Sequence, residues 1–156
     1  HPYPCLPPLP SLFGVTYDSQ LEAVPMTRRE VQPDAVPKPV AEYAMGVEVS
    51  GGRTVYVAGQ VALDADGNLV GEGDFKAQAR QVLTNVQAII EEAGGQISDI
   101  VKMTTFLTNM ADYDAFKEVR SEFLKAPFPA ATLVETSALV RPEWLLEVEA
   151  TAVIGE

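Results

Sequence analysis

The chain predicts an α+β domain in which two helices cover one face of a mixed sheet, in the order β-β-α-β-α-β-β. Three observations predict it. The hydrophobic period changes from that of strands to that of helices and back along the chain, only two stretches hold helical spacing, and the last strand separates an apolar face from an acidic one. A length of 156 residues suits one domain, and 47% apolar against 21% charged residues allows a core to form.

Residues 1–25 are read as a Pro-rich leader, disordered or appended, ahead of a single domain over 26–156. Half of the 12 prolines fall there (Pro2, Pro4, Pro7, Pro8, Pro10, Pro25), which blocks helices and strand ladders. The stretch lacks the basic n-region of a secretory signal, and Met26 looks like an ordinary start. The chain has no apolar run long enough to span a membrane, so a cytoplasmic protein without a membrane partner is expected.

Within the domain, 43–49 and 54–61 are rich in β-branched and aromatic residues, and Ser50-Gly51-Gly52-Arg53 between them suggests a hairpin. Asp64 to Asn68 is a turn. Its resemblance to a calcium loop fails, because Leu69 and Phe75 stand where Gly and a bidentate Glu are needed. From Asp74, an N-cap, the spacing of Phe75, Ala79, Val82, Val86, Ile89 and Ala93 predicts a helix ended by Gly94-Gly95. Ile100 to Leu107 reads as a strand, and 112–124 as a second helix with Phe116, Val119 and Phe123 inward, stopped by Pro127 and Pro129. Strands at 132–136 and 145–153 close the domain.

Two scarce residues narrow the chemistry. Cys5 and His1 are the only cysteine and histidine, and both lie in the leader. The domain is left without thiol or imidazole for a triad, a redox pair or a His- or Cys-ligated metal, so no metal and no cofactor is expected. Gly71-Glu72-Gly73 lacks the third glycine of a dinucleotide fingerprint. A formal charge of −11 has the wrong sign for gripping phosphate backbones, which argues against nucleic acid as a partner.

On the last strand Leu146, Val148, Ala150 and Ala152 share one face, and Glu147, Glu149 and Thr151 the other. The acidic face is either a solvated exterior or the wall of a pocket in which a glutamate moves protons. Gly59, inside an apolar strand, marks either a bulge or main-chain amides offered to a ligand. Tyr43 is either a pocket wall or an ordinary strand residue.

Five segments together, Val57-Ala58-Gly59-Gln60-Val61, Ala93-Gly94-Gly95, Asp99 to Thr104, Phe128-Pro129-Ala130 and Leu146 to Ala150, resemble the Rid (YjgF-type, formerly L-PSP endoribonuclease) family over roughly 38–154. The resemblance implies a chorismate-mutase-like fold and a homotrimer with small-molecule sites in the clefts between subunits. It implies hydrolysis of reactive imines and enamines without metal or organic cofactor. Tyr43 matches the family's pocket tyrosine, Gly59 the glycine beside main-chain amides, and Glu147 the glutamate that orients water. Thr132 follows in the same substrate-binding segment. Ala131 departs from the pattern, standing where the family's deaminases carry the arginine that clamps the substrate carboxylate. Leu133 and Ala58 replace positions that are often cysteine and serine. A more apolar pocket is expected, with a guest lacking an obligatory carboxylate. Arg120 and Arg141 are candidate anion contacts, although each reads first as a solvated surface charge.

Three functions compete at this level. The leading one is a hydrolase of imine, enamine or related nitrogen compounds. The second is a noncatalytic trimeric ligand-binding or chaperone-like module, and the third a ribonuclease or translation inhibitor, which the acidic charge opposes.

Overall fold

The computed structural model describes residues 25–155. Nearly all of the expected leader, with Cys5 and His1, lies outside them. The elements are β1 (Thr27–Val31), β2 (Gly46–Ser50), β3 (Arg53–Gln60), α1 (Phe75–Glu92), β4 (Ile100–Leu107), α2 (Tyr113–Phe123), β5 (Ala130–Glu135) and β6 (Leu146–Ile154). The four-stranded sheet has the order β3-β6-β4-β5, antiparallel except for the parallel β4/β5 pair. Both helices pack on one face of this mixed sheet, the α+β arrangement expected.

Two expectations are corrected. The Ser50 to Arg53 turn does not close a hairpin: β2 pairs antiparallel with β1, and β3 pairs with β6. Strand β3 follows β6 because Val55 and Val57 must share the apolar layer under α1 with Ala150 and Ala152. Strand β1 was not anticipated at all. Its sequence Thr-Arg-Arg-Glu-Val has no apolar alternation, and its partner supplies the ladder, with Arg29 opposite Glu48 in an ion pair. The Arg28 guanidinium then donates to the carbonyls of Ser98 (2.8 Å), Pro127 (3.2 Å) and Phe128 (3.0 Å), tying β1 to the segment that leads into β5.

Helix α1 starts where the sequence places it. Asp74 Oδ1 accepts the Ala77 amide at 3.0 Å, and at the far end Gly94 takes φ 88°, which lets the Gly95 amide reach back to the Ile90 carbonyl at 3.0 Å. Its buried stripe is Phe75, Gln78, Ala79, Val82, Leu83, Val86 and Ile90. Ile90 faces the core in place of the expected Ile89, which is 37% exposed.

Gln78 is 0% exposed and satisfied on every side. Its Nε2 donates to the carbonyls of Gly71 (3.1 Å) and Glu143 (2.9 Å), and its Oε1 accepts the Leu145 amide at 3.0 Å. This latch fixes the chain immediately before β6. On β6, Leu146, Val148, Ala150 and Ala152 point into the core under the helices. The alternation leaves Glu147, Glu149 and Thr151 on the opposite face of the sheet, which no helix covers.

Candidate functional site

The first cluster forms where the segment before β2 runs beside β5. The Ala44 amide donates to the Pro129 carbonyl at 2.9 Å, and Ala44 bridges Ala130 in parallel register. Tyr43 is thereby held next to the helix-side residues of β5. A cavity of about 500 Å³ opens there, lined by Val40, Tyr43, Met45, Met110, Tyr113, Arg120, Ala131 and Leu133. Tyr43, Ala131 and Leu133, scattered in sequence, thus share one wall. The Met110 amide, anchored by Glu135 Oε2 at 2.6 Å, sets the opposite side.

Arg120 is not the solvated surface charge expected from its type. It is 6% exposed, its Nε has no hydrogen-bond partner among the described residues, and its guanidinium carbon lies 5.9 Å from the Phe116 ring centroid. Burial pushes its pKa below the ordinary arginine value, opposed by the Glu42 carboxylate and, to a lesser extent, the Tyr113 phenol. The sequence did hold a signal for this burial: Arg120 stands four residues after Phe116 and next to Val119, inside the apolar stripe of α2. Val40, Met45, Met110 and Tyr113, unlike Arg120, were not singled out, because a wall built from a loop, a short turn and a helix end leaves no periodic trace.

The second cluster lies at the end of β3. Register runs from Val57 opposite Ala150 to Gln60 opposite Val148, so three steps on β3 face two on β6, and Ala58 and Gly59 form a β-bulge without ladder partners. The bulge allows a close approach. A Cβ placed on Gly59 would overlap Glu147 Oε1 and lie 2.8 Å from its Cδ, so the missing side chain is the space the Glu147 carboxylate occupies. Glu147 is half-buried as a residue, and its carboxylate makes no hydrogen bond or ion pair among the described residues. A cavity of about 370 Å³ at the bulge is lined by Gly59, Gln60, Val61, Asn85 and the exposed Ile89 among others, without Glu147. Asn85 Nδ2 donates to the carbonyls of Val61 (3.2 Å) and Leu63 (2.9 Å), holding the loop that follows the bulge.

Other named residues lie elsewhere. Thr132 points to the uncovered sheet face, where its Oγ1 accepts Lys102 Nζ at 2.7 Å, so parity separates it from Ala131 and Leu133. Ala58 and Glu149 line a third cavity, of about 420 Å³, on that face with Tyr56, Lys102 and Thr104. Arg141 remains at the surface, 5.6 Å from the Trp144 ring centroid and 3.9 Å from Glu143, and touches neither cluster. The cavity of Tyr43 and Ala131 and the cavity of Gly59 share no lining residue. Among the described residues no three His, Cys, Asp or Glu side chains gather as a metal site. No helix among them is long and apolar enough to cross a membrane.

The family described as Endoribonuclease L-PSP matches residues 34–154. A RutC family protein of Pyrococcus abyssi is 35% identical over 127 residues, covering 81% of this chain and 98% of the relative. A 2-iminobutanoate/2-iminopropanoate deaminase of Dermatophagoides farinae is 33% identical over 127 residues, covering 81% of this chain and 97% of its own length. Among solved structures, the Rid family protein YyfB of Yersinia pestis superposes with a TM-score of 0.75 at 35% identity, over 81% of this chain and 98% of that one.

Proposed function

The chain belongs to the Endoribonuclease L-PSP (Rid/YjgF) family, and from that premise we propose that it hydrolyses a small imine or enamine, with Glu147 as the group that handles water. The observation that carries this reading is the fit of the Glu147 carboxylate into the space left by Gly59, beside the bulged backbone of Ala58 and Gly59. A carboxylate free of internal partners accepts a proton from water as the oxygen attacks the imine carbon, and passes it to nitrogen as the C=N bond becomes a carbinolamine. On collapse the hydroxyl proton moves through the same carboxylate to nitrogen, the C–N bond breaks, and ammonia and a ketone are released. Main-chain amides outside a strand ladder are placed to receive the polar atoms of such a guest.

The same reading assigns the two clusters to one site shared between subunits. In a homotrimer whose uncovered sheet faces meet, the Tyr43–Ala131 cavity of one chain would close over the Gly59–Glu147 bulge of the next. Exposed apolar side chains on the chain support such burial, among them Tyr56 at 81% exposure on the uncovered sheet face. The work is proposed to occur without metal or organic cofactor and without nucleic acid, in keeping with the charge of −11.

The test is ketoacid release from 2-iminobutyrate generated enzymatically in the assay. Wild type is expected to accelerate release, and Glu147→Gln to lower kcat by roughly a hundredfold, within the range general acid–base groups contribute. Release no faster than in buffer, with the stable ketone 2-oxobutyrate bound and recovered unchanged, would instead support a binding module. RNA cleavage by wild type that Glu147→Gln abolishes would support the nuclease reading.

A further inference from the structure

We propose that Arg120 holds the carboxylate of the guest in the Tyr43–Ala131 cavity, so that the anion site of this chain is built on helix α2 rather than on strand β5. The inference rests on the imine-hydrolase reading and names its substrate class: a small 2-imino acid with an apolar side chain.

Four observations carry it. Arg120 is 6% exposed as a residue, its Nε is buried without a hydrogen-bond partner and it makes no ion pair among the described residues, a state that costs stability and that an anion entering the cavity would relieve. No carboxylate among the described residues forms an ion pair with it: Glu42 attracts it from beyond salt-bridge distance, and the carboxylates nearby have other partners. Glu42 accepts Ser121 Oγ at 2.6 Å, Asp114 pairs with Lys117 at 2.7 Å, and Glu118 pairs with Lys76. The position is also right, because Arg120 lines both the Tyr43–Ala131 cavity and a neighbouring one of about 520 Å³, and so stands where the two meet.

The fourth observation is the rest of the wall. Met45, Met110, Leu133 and Ala131 offer no competing charge, which suits an apolar side chain beside a carboxylate gripped by two parallel N–H donors. The methyl of Ala131 then has a role of its own. A long side chain at that position would take up the space in front of Arg120, whereas the methyl leaves it open. The expectation of a guest without an obligatory carboxylate, which followed from Ala131 alone, is replaced by one in which the clamp has moved.

The experiment compares 2-oxobutyrate, a stable ketone that carries the carboxylate, with its neutral amide 2-oxobutanamide, by calorimetry on the full chain. Wild type should bind the acid roughly tenfold to a hundredfold more tightly than the amide, the range of a charge-assisted hydrogen bond. Arg120→Gln and Arg120→Met should abolish that preference without weakening the amide. Arg120→Lys should keep part of it, since a point charge lacks the planar fork. Arg120→Met should melt at or above the wild-type temperature, because an unpaired buried charge has gone, and this separates lost binding from lost folding. An equal affinity of wild type for acid and amide, or a preference that survives in both folded variants, overturns the proposal. Preference for the acid without ketoacid release from 2-iminobutyrate would remove the hydrolase reading and leave the anion site. Release equally fast in wild type and Arg120→Gln would do the opposite.

Discussion

Glycine at position 59 and glutamate at position 147 act as one unit, since the first has no Cβ and the second fills the place a Cβ would take. Gly59→Ala therefore forces the Glu147 carboxylate aside or pushes the bulge off β6, at a stability cost of about 1–3 kcal/mol. Its activity should fall nearly as far as that of Glu147→Gln, and the double variant should be no worse than the poorer single one. Chemical denaturation and ketoacid release on the four proteins close the cycle, and additive losses would show that the two residues act separately. The sequence displayed both residues, one as a glycine out of place in a strand and the other by parity on β6. It could not display their contact, which depends on the two-against-three register between β3 and β6. In sequence Arg120 is a candidate anion contact that reads first as a solvated charge. Its place in the apolar stripe of α2 points to burial, while its meeting with Val40, Tyr43 and Ala131 at one cavity depends on the fold.

Between elements, the Gln78 latch deserves the most direct test, because it joins α1, the Gly71 turn and the start of β6 through three hydrogen bonds. Gln78→Leu keeps the bulk and strands two carbonyls and an amide. Unfolding in urea should show a loss of about 2–4 kcal/mol with an unchanged m-value, whereas a loss below about 0.5 kcal/mol would mean that the freed groups find other partners. Helix α1, β4, α2, β5 and β6 were all readable as periodic runs bounded by Asp74, Gly94 and Pro127. The pairing was not. The glycine-rich turn at 51–52 pointed to a local hairpin, yet burial of Val55 and Val57 under α1 sent β3 to β6, nearly a hundred residues away in sequence. Strand β1 had no pattern to read, because the Arg28 clamp and the Arg29–Glu48 pair that hold it are contacts with distant residues.

At the scale of the whole molecule, a single chain holds two incomplete clusters. One offers Tyr43, Arg120 and a small apolar cavity, the other Gly59, Glu147 and free backbone, and their cavities have no residue in common. If the site forms between subunits, each cleft takes one cluster from each of two neighbours, and the two can be inactivated on different chains. Glu147→Gln removes the water-handling group, and Ala131→Phe fills the cavity on the other side. In a closed ring of three that contains both variants, the order of chains guarantees one cleft in which the two intact clusters meet. Ketoacid release from 2-iminobutyrate by such mixed rings, prepared by co-expression with two tags and checked by native mass, is the most direct measurement of the shared site. Mixed trimers should recover roughly one third of the wild-type rate although each parent is inactive, as expected when one cleft in three is whole. Verified mixed trimers as inactive as their parents would contradict the account.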